Sequence, residues 1–322
     1  MQAVQVHELG GPSALRLVEL PEPEPGPDQV VIEVHAAGVT FPDLLLSRGE
    51  YQIKPELPFV PGSEVAGVVR SAPPGAAVRP GDRVAAFCGL GGFAEVAAAP
   101  LEAVFPLPAQ VSLATGAALP MNTFTVHFAL TRRGRLRAGE TVLVHGAAGG
   151  VGTAAVQLAS ALGATVIAVA SSDEKRQAAK EVGAQHVIAP DNFLAETREL
   201  TGGRGVAMVV DPVGGDRFTD SLRALSVEGR LLVLGFTGGE IPTVKMNRLL
   251  LNNIDVVGVG WGAFWTRQPG YLQQQWAELA PLVADGRIAP PLGRRFPLHE
   301  TREALMQLEH RQAIGQVLVE PR

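Results

Sequence analysis

Apolar and polar positions alternate in two different ways along this chain. Up to about residue 115, short alternating runs such as residues 14–20 and 29–35 are separated by Gly- and Pro-rich turns. This pattern predicts a barrel-like β domain. From about residue 117 to 260, branched apolar runs alternate with helical segments, and strand candidates begin near Thr141, Thr165, Gln185, Val206, Arg230 and Ile254. Regular strand–helix alternation predicts a doubly wound parallel sheet.

The remaining chain is too poor in strands to form a domain by itself. It contains a helical segment at residues 271–284 and a final helix-and-strand pair at residues 300–320. We therefore expect it to return to the first domain. The prediction is an α/β protein with a substrate domain at residues 1–116 and 261–322 and a nucleotide-binding domain at residues 117–260.

A glycine-rich turn, defined here as residues 146–152, lies between the first apolar strand of the second domain and the helix that follows. Ala147, Gly149 and Gly152 occupy the three positions of the G-x-G-x-x-G spacing. A glycine at the second position lets a pyrophosphate approach the backbone, and a glycine at the third lets the helix pack closely. The N–H groups of Gly150 and Val151 would then face the phosphates. The strand–turn–helix–strand order predicts nucleotide binding.

Composition narrows the range of functions. The net charge of −5 gives no basic surface for nucleic acid. No apolar run approaches the roughly 20 residues that span a membrane, and the N-terminus has no signal pattern. The single cysteine, Cys88, excludes an intrachain disulfide and a multi-cysteine metal site. We expect a cytoplasmic protein.

Several motifs outside the turn resemble the zinc-free branch of the medium-chain dehydrogenase/reductase superfamily, the NADPH:quinone oxidoreductases. They are Gly-Val-Thr-Phe-Pro-Asp at 38–43, Leu-Pro-Phe-Val-Pro-Gly-Ser-Glu at 57–64, Gly-Asp-Arg-Val at 81–84, Ser-Ser-Asp-Glu-Lys at 171–175 and Asp-Pro-Val-Gly-Gly at 211–215. The resemblance covers essentially the whole chain. It implies a GroES-like β domain interrupted by a Rossmann domain and completed by the C-terminus.

Zinc ligands of the related alcohol dehydrogenases are missing from this chain. Thr40 stands where those enzymes carry a cysteine, and Ser63 stands where they carry a histidine. There is also no four-cysteine loop of the structural-zinc type. The sequence therefore predicts no metal and a reaction that proceeds without one.

The end of the second Rossmann strand favours NADPH over NADH. Enzymes that use NAD place an acidic residue there, whereas this chain has Ser171 and Ser172, followed by Lys175 and Arg176. Hydroxyls and cations suit a 2′-phosphate. The alternative is that the two cations form the solvated face of the helix. The resemblance assigns the phosphate to Ser171 and Lys175 and adds Arg311.

The resemblance also implies where the nicotinamide end of the cofactor lies. It indicates contacts where the two domains meet, at Phe41, Thr125, Val213, Gly235, Phe236, Thr237, Trp261 and Gly262. Glycines after buried strands allow backbone to approach a ligand, and the aromatic residues would form an apolar wall. Aromatic residues are also common in protein cores, and that alternative stays open.

The implied reaction is hydride transfer from NADPH to a quinone or an α,β-unsaturated carbonyl compound. Thr40 and Tyr51 are the candidates for a hydrogen bond to the acceptor oxygen, although Tyr51 could equally serve packing. Two alternatives remain: an enoyl thioester (acyl-CoA) reductase, and a non-catalytic protein that binds NADPH for a structural role.

Assembly is suggested by the last apolar strand, residues 254–260. In the 3-2-1-4-5-6 strand order this strand lies at an edge, and Asp255 is its one charged residue. An uncovered edge of apolar residues favours pairing with another strand. The resemblance extends dimerisation through this strand to the present chain, so we expect a homodimer.

Overall fold

The structure is a computed structural model that describes residues 1–321, and these residues divide into two compact units. The first unit comprises Met1–Asn122, Gly270–Ala284 and the chain from Pro290 onward. The second comprises Thr123–Pro269 and Asp285–Ala289. The chain therefore leaves the first unit at 122/123 and returns at 269/270, whereas the sequence predicts domain bounds at 116/117 and 260/261.

The regular elements are numbered in chain order. The strands are β1 (Gln2–Val6), β2 (Leu15–Glu19), β3 (Gln29–Val39), β4 (Glu64–Ser71), β5 (Arg83–Phe87), β6 (Val96–Pro100), β7 (Val104–Pro106), β8 (Thr141–Val144), β9 (Thr165–Val169), β10 (His186–Ile188), β11 (Val206–Asp211), β12 (Leu225–Val233), β13 (Asp255–Gly258), β14 (Leu292–Pro297) and β15 (Gln316–Glu320). The helices are α1 (Phe41–Arg48), α2 (Leu113–Ala117), α3 (Pro120–His127), α4 (Gly150–Ala161), α5 (Asp173–Glu181), α6 (Phe193–Leu200), α7 (Phe218–Ala224), α8 (Asn247–Asn252), α9 (Trp261–Trp265), α10 (Tyr271–Ala284) and α11 (Thr301–Glu309).

The first unit is built on a sheet with β3 at its centre. The strands run in the order β14-β15-β3-β4-β5-β7, and β6 also pairs with β3, while β1 and β2 form a separate antiparallel pair. The proline-rich residues 21–27 connect β2 and β3 without joining a sheet, because proline cannot donate to a ladder. The C-terminal strand β15 pairs with β3, and β14 pairs with β15, so the tail completes this sheet.

The second unit contains a parallel sheet with the order β10-β9-β8-β11-β12-β13, and each neighbouring pair is parallel. This is the predicted doubly wound arrangement, so the α/β fold class is confirmed. The central strands consist of continuous apolar runs because helices cover both faces of the sheet. One strand differs from the prediction: β12 begins at Leu225 instead of Arg230, since a register shift lets Leu225 pair with Val206.

The aromatic segment after β13 belongs to the second unit. The Trp261 ring packs 6.2 Å from that of Phe124 in α3, and the Phe264 ring lies 4.9 Å from that of Phe128. Burial of these rings against one another favours keeping α9 with the start of the second unit. This packing explains why the unit ends at Pro269 and not near residue 260.

The length and the apolar character of the helices bear on membrane insertion. Within residues 1–321, none of them combines the length and the apolar character that crossing a bilayer requires. A cytoplasmic location stays a prediction.

Candidate functional site

The glycine-rich turn between β8 and α4 uses its glycines for different physical reasons. A Cβ built on Gly152 would lie 2.1 Å from the carbonyl oxygen of Gly146, so no other residue fits there without moving the backbone. A Cβ built on Gly149 would meet only that same oxygen, at 3.7 Å. Gly152 is thus required by packing, while Gly149 leaves open space at the surface of the turn.

The start of α4 suits an anion. The helix begins at Gly150 after the N-cap Gly149, and no side chain caps its first N–H groups. Such N–H groups, together with the helix dipole, attract negative charge. The first backbone bond of the helix runs from Thr153 N–H to the Gly149 carbonyl oxygen, over 2.8 Å. The predicted positions Gly149, Gly150 and Val151 therefore present backbone and not side chains.

The end of β9 brings hydroxyls and a lysine together at the start of α5. Ser172 is the N-cap, and its hydroxyl oxygen accepts the Lys175 N–H over 3.2 Å. Ser171 and Ser172 are exposed, and Lys175 is half-buried. Arg176 is already engaged, because it donates to the Ala170 carbonyl oxygen over 3.2 Å and pairs with Asp173. Of the two predicted cations, Arg176 therefore stabilises the start of α5.

Two loops meet at the carboxyl ends of β11 and β12. The buried carboxylate of Asp211 accepts the N–H groups of Val213 and Gly214, each over 2.9 Å. The N–H and the hydroxyl of Thr237 both donate to the Pro212 carbonyl oxygen, over 3.1 Å. The Phe236 ring lies against Gly214, since a Cβ built on that glycine would be 2.9 Å from the ring. These bonds hold the predicted residues Val213, Phe236 and Thr237 in one cluster.

That cluster lies beside the glycine-rich turn. A Cβ built on Gly146 would be 3.3 Å from Cγ2 of Val213. Gly235 is half-buried at the end of β12, and a Cβ there would lie 3.4 Å from the Pro212 carbonyl oxygen. The carboxyl ends of β8, β11 and β12 thus bring four predicted positions and the turn to one edge of the sheet.

The aromatic residues of α9 are mainly a packing element. Trp261 is 4% exposed and contacts Phe124. Gly262 is exposed, and a Cβ on it would meet no atom within 4 Å. Thr125, next to Phe124 on α3, is half-buried. Trp261 therefore has a packing role, and its contact with the cofactor stays a prediction.

Thr40 and Asp43 form a buried pair at the start of α1. Oδ2 of Asp43 accepts the Thr40 N–H over 2.8 Å and the Thr40 hydroxyl over 2.6 Å. The Gly62 N–H donates to Oδ1 over 3.2 Å. The Ser63 hydroxyl oxygen lies 3.4 Å from that of Thr40. Because the Thr40 proton is directed at Asp43, Ser63 is the group that can donate to Thr40.

Burial dominates the electrostatics of this pair. It raises the pKa of Asp43 to about 6, although the hydrogen bonds from Thr40, Gly62 and Ser63 oppose the shift. Burial, followed by the charge of Asp43, raises the pKa of Tyr51. The tyrosine packs against Val6, Leu46 and Phe59, so its ring has a structural role in addition to its hydroxyl.

Glu64, the first residue of β4, caps the helix that leads into the second unit. Its Oε2 accepts the Met121 N–H of α3 over 2.6 Å, and its Oε1 accepts the amide of Gln316 over 3.1 Å. Gln316 also donates to the Val39 carbonyl oxygen and accepts the Asn122 amide over 2.6 Å. Burial raises the pKa of Glu64 to about 8. We name this set the Glu64 network (Glu64, Met121, Asn122, Gln316).

The donor set around Thr40 does not fit zinc. Protein zinc sites use thiolates, imidazoles and free carboxylates, whereas Thr40 and Ser63 offer hydroxyls and the Asp43 oxygens already accept backbone N–H groups. Within residues 1–321, no group of three or more His, Cys, Asp or Glu side chains is arranged to hold a metal ion. Catalysis without metal stays a prediction.

Two further predicted residues lie in the first unit. Phe41 is the first residue of α1 and packs against the apolar core of the first unit. Arg311 follows α11, is exposed, and has a positive φ of 55°. Ser171 and Lys175, with which Arg311 was grouped, lie in the second unit.

Sequence reasoning did not find the structural roles of Asp211, Gln316 and Asn122. Asp211 offered a signal, since it is an acidic residue directly after a buried apolar run and before a Pro-Val-Gly-Gly loop. Gln316 and Asn122 offered none, because their bond joins residues 194 positions apart.

Known protein families match both the first and the second part of this architecture. Residues 26–109 match the alcohol dehydrogenase GroES-like domain, and residues 150–285 match the zinc-binding dehydrogenase family. Quinone oxidoreductase-like protein 2 of Bos taurus is 38% identical over 91% of this chain and 85% of its own length. The chain belongs to the quinone oxidoreductase branch of the medium-chain dehydrogenase/reductase superfamily. The predicted resemblance is thereby confirmed.

Solved members of this branch share the full architecture. The quinone oxidoreductase of Escherichia coli, crystallised with NADPH, is 30% identical with a TM-score of 0.91, and the alignment covers 100% of both chains. The quinone oxidoreductase of Thermus thermophilus, also solved with NADPH, is 36% identical with a TM-score of 0.87 over 99% of this chain and 100% of its own.

The Glu64 network generates a pH-dependent stability. A native pKa of about 8, against 4.5 in the unfolded chain, means that the native state binds the extra proton between these values. The free energy of unfolding therefore falls as pH rises, by at most about 1.4 kcal/mol per pH unit. Near pH 6.5 two other groups also titrate: His145, with a native pKa of about 3 against 6.5 in the unfolded chain, adds an opposite slope, and Asp43, with a native pKa of about 6, adds to the fall. Both contributions fade as pH rises above 7, and wild type and a variant at Glu64 share them.

Urea denaturation of wild type and Glu64→Gln between pH 6.5 and 8 tests this. The variant keeps a neutral side chain of similar shape between the Met121 N–H and the Gln316 amide, but this side chain cannot ionise. Its slope with pH should therefore be flatter than that of wild type. Parallel slopes would contradict the assignment of the titration to Glu64.

Proposed function

We propose that this protein is an NADPH-dependent reductase that transfers hydride to a quinone or an α,β-unsaturated carbonyl compound without a metal ion. The observation that carries the proposal is the uncapped start of α4 behind Gly149, followed at the end of β9 by Ser171, Ser172 and Lys175. The NADPH complexes of the Escherichia coli and Thermus thermophilus relatives support the same cofactor.

The residues of the second unit would hold the cofactor by backbone and by charge. The N–H groups of Gly150 and Val151 suit the pyrophosphate. Ser171 and Lys175 suit the 2′-phosphate, and Arg311 is a further candidate for it. Thr125, Val213, Gly235, Phe236, Thr237, Trp261, Gly262 and Phe41 are proposed for the nicotinamide half. When bound, NADPH supplies the hydride, so the protein needs to provide orientation and a dry site.

Tyr51 is the stronger candidate for donating a hydrogen bond to the acceptor oxygen. A phenol is protonated at neutral pH, and burial raises the pKa of Tyr51 further. The Thr40 hydroxyl is committed to Asp43, so it would act only through a rearrangement of that bond. We therefore assign Thr40 to shaping the acceptor pocket and Tyr51 to contact with the oxygen.

The reaction is tested by following NADPH oxidation against quinones, enones and enoyl-CoA thioesters. We expect turnover of a quinone or an enone, and the Tyr51→Phe variant should lower kcat/KM by about tenfold on losing one hydrogen bond. Faster turnover of the thioesters would favour the enoyl reductase alternative. NADPH binding without turnover of any acceptor would favour the structural NADPH-binding protein.

The cofactor preference follows from Lys175. The Lys175→Ala variant should lose a charge-assisted hydrogen bond, which weakens NADPH binding about ten- to hundredfold and leaves NADH binding nearly unchanged. Arg176→Ala is the matched control, because Arg176 already pairs with Asp173 and the Ala170 carbonyl oxygen. Fluorescence titration with both cofactors measures the four affinities. Equal losses for NADPH and NADH in Lys175→Ala would refute the assignment.

The proposed assembly is a homodimer joined along β13, within the predicted segment 254–260. β13 lies at the edge of the parallel sheet, and two copies related by a twofold axis could pair these edges antiparallel. Exposed apolar side chains nearby support the proposal: Leu250 and Leu251 of α8 are 75% and 73% exposed. Apolar surface of this kind favours contact with another copy.

The outward-facing N–H groups of β13 can be identified. Val259 donates its N–H to the Val233 carbonyl oxygen of β12 over 3.0 Å. Because successive N–H groups alternate in direction, Val257 also faces β12, whereas Val256 and Gly258 face outward. A Cβ on Gly258 would meet no atom within 4 Å, so this position tolerates a side chain in the monomer.

Gly258→Pro should therefore remove an intersubunit donor without removing a bond to β12. We expect its monomer–dimer equilibrium to shift toward monomer, while Gly258→Ala, which keeps the N–H, should resemble wild type. Light scattering at micromolar concentration measures the masses. A wild-type mass of 33.8 kDa, which is the mass of one chain, would refute the dimer proposal.

A further inference from the structure

A small cavity in the second unit is surrounded by arginines from three different helices. Arg198 of α6, Arg223 of α7 and Arg248 of α8 line it, and its volume is about 110 Å³. Leu222 and Ile254, both buried, form its apolar floor. No part of the proposed function uses these residues.

The cavity lies at the amino-terminal edge of the parallel sheet. Its lining includes Leu225, the first residue of β12, and Ile254, the residue before β13. The glycine-rich turn and the loops at Val213 and Thr237 follow the carboxyl ends of β8, β11 and β12. Because the strands are parallel, the two sets of residues occupy opposite edges. The arginine cavity is therefore separate from the proposed cofactor site.

The charges around the cavity are not balanced. Arg223 pairs with Asp220 over 2.9 Å. Among residues 1–321, neither Arg198 nor Arg248 forms an ion pair. Glu199 and Asp255 are neighbours in sequence of Arg198 and Ile254, but neither lines the cavity. Three guanidinium groups against one carboxylate leave a formal charge of +2, in a chain whose net charge is −5.

Two of the arginines, Arg198 and Arg223, already have hydrogen-bond partners. Arg198 donates one N–H to the Arg223 carbonyl oxygen over 3.3 Å, which leaves its remaining N–H groups for another acceptor. Arg248 is half-buried, and the next residue, Leu249, packs against the core of the unit. Such positioning lowers the entropy lost when a ligand binds.

We propose that this cavity is a binding site for a small dianionic oxyanion, the phosphate group of inorganic phosphate or of a phosphate monoester. Its volume is well below the roughly 300 Å³ at which pockets begin to hold whole organic ligands, so one phosphate group fits and a nucleotide does not. Guanidinium groups bind such oxyanions through paired N–H donors. The charge of +2 matches a dianion.

Isothermal titration of wild-type protein with inorganic phosphate tests the site, with NADPH present in excess to fill any phosphate-binding position at Lys175. Sodium chloride of equal ionic strength is the reference titrant, since it screens charge without offering oxygens. We expect one phosphate per chain with millimolar affinity or better. A parallel titration with glycerol phosphate distinguishes a monoester from free phosphate as the preferred ligand.

Three variants assign the binding to the arginines. Arg248→Gln and, independently, Arg198→Gln should weaken phosphate binding about tenfold. Arg302→Gln, an exposed arginine of α11 in the first unit, changes the net charge equally and should bind as wild type. Thermal unfolding verifies that each variant is folded. With two independent cavity variants, misfolding of one leaves the other to decide.

The proposal is overturned if wild type takes up no phosphate at about 20 mM, or if Arg302→Gln weakens binding as much as the cavity variants do. It does not depend on the proposed reductase function. If the protein failed to bind NADPH, titration of Lys175→Ala would give the same test, and phosphate binding that requires Arg248 but not Lys175 would still support this site.

Discussion

The close approach of α4 to the end of β8 is the constraint on which the second unit depends. A side chain at Gly152 would collide with the Gly146 carbonyl oxygen, so this glycine allows the first crossover helix to pack on the central strand. The sheet extends from β8 in both directions, through β9 on one side and β11 on the other. The same turn leaves Gly149 uncrowded and the start of α4 uncapped. Packing and anion affinity therefore have one origin.

Buried carboxyl groups organise the first unit. Asp43 accepts N–H groups from two segments, at Thr40 and Gly62, and thereby fixes the start of α1 to the loop before β4. Glu64 joins α3 to the C-terminal strand through Gln316. Each carboxyl group is satisfied by hydrogen bonds, yet burial still raises its pKa because the charged form loses its hydration.

Cationic side chains lie at two opposite edges of one parallel sheet. Lys175 lies where β9 ends, and the arginines of the cavity lie where β12 begins and before β13. The net charge of −5 conceals both, because it averages over the whole chain. Local charge, and not the overall sum, decides where an anion can bind.

The sequence by itself determined the order of the parallel strands, the position of the glycine-rich turn and the loss of the zinc ligands at Thr40 and Ser63. These features depend on periodicity, spacing and residue type within short windows. Only the tertiary structure decided that Arg176 donates to the Ala170 carbonyl oxygen and that Gln316 donates to Glu64. It also decided that arginines from three helices line one cavity. Such contacts join distant segments, so they exist only once the sheets have fixed which segments become neighbours.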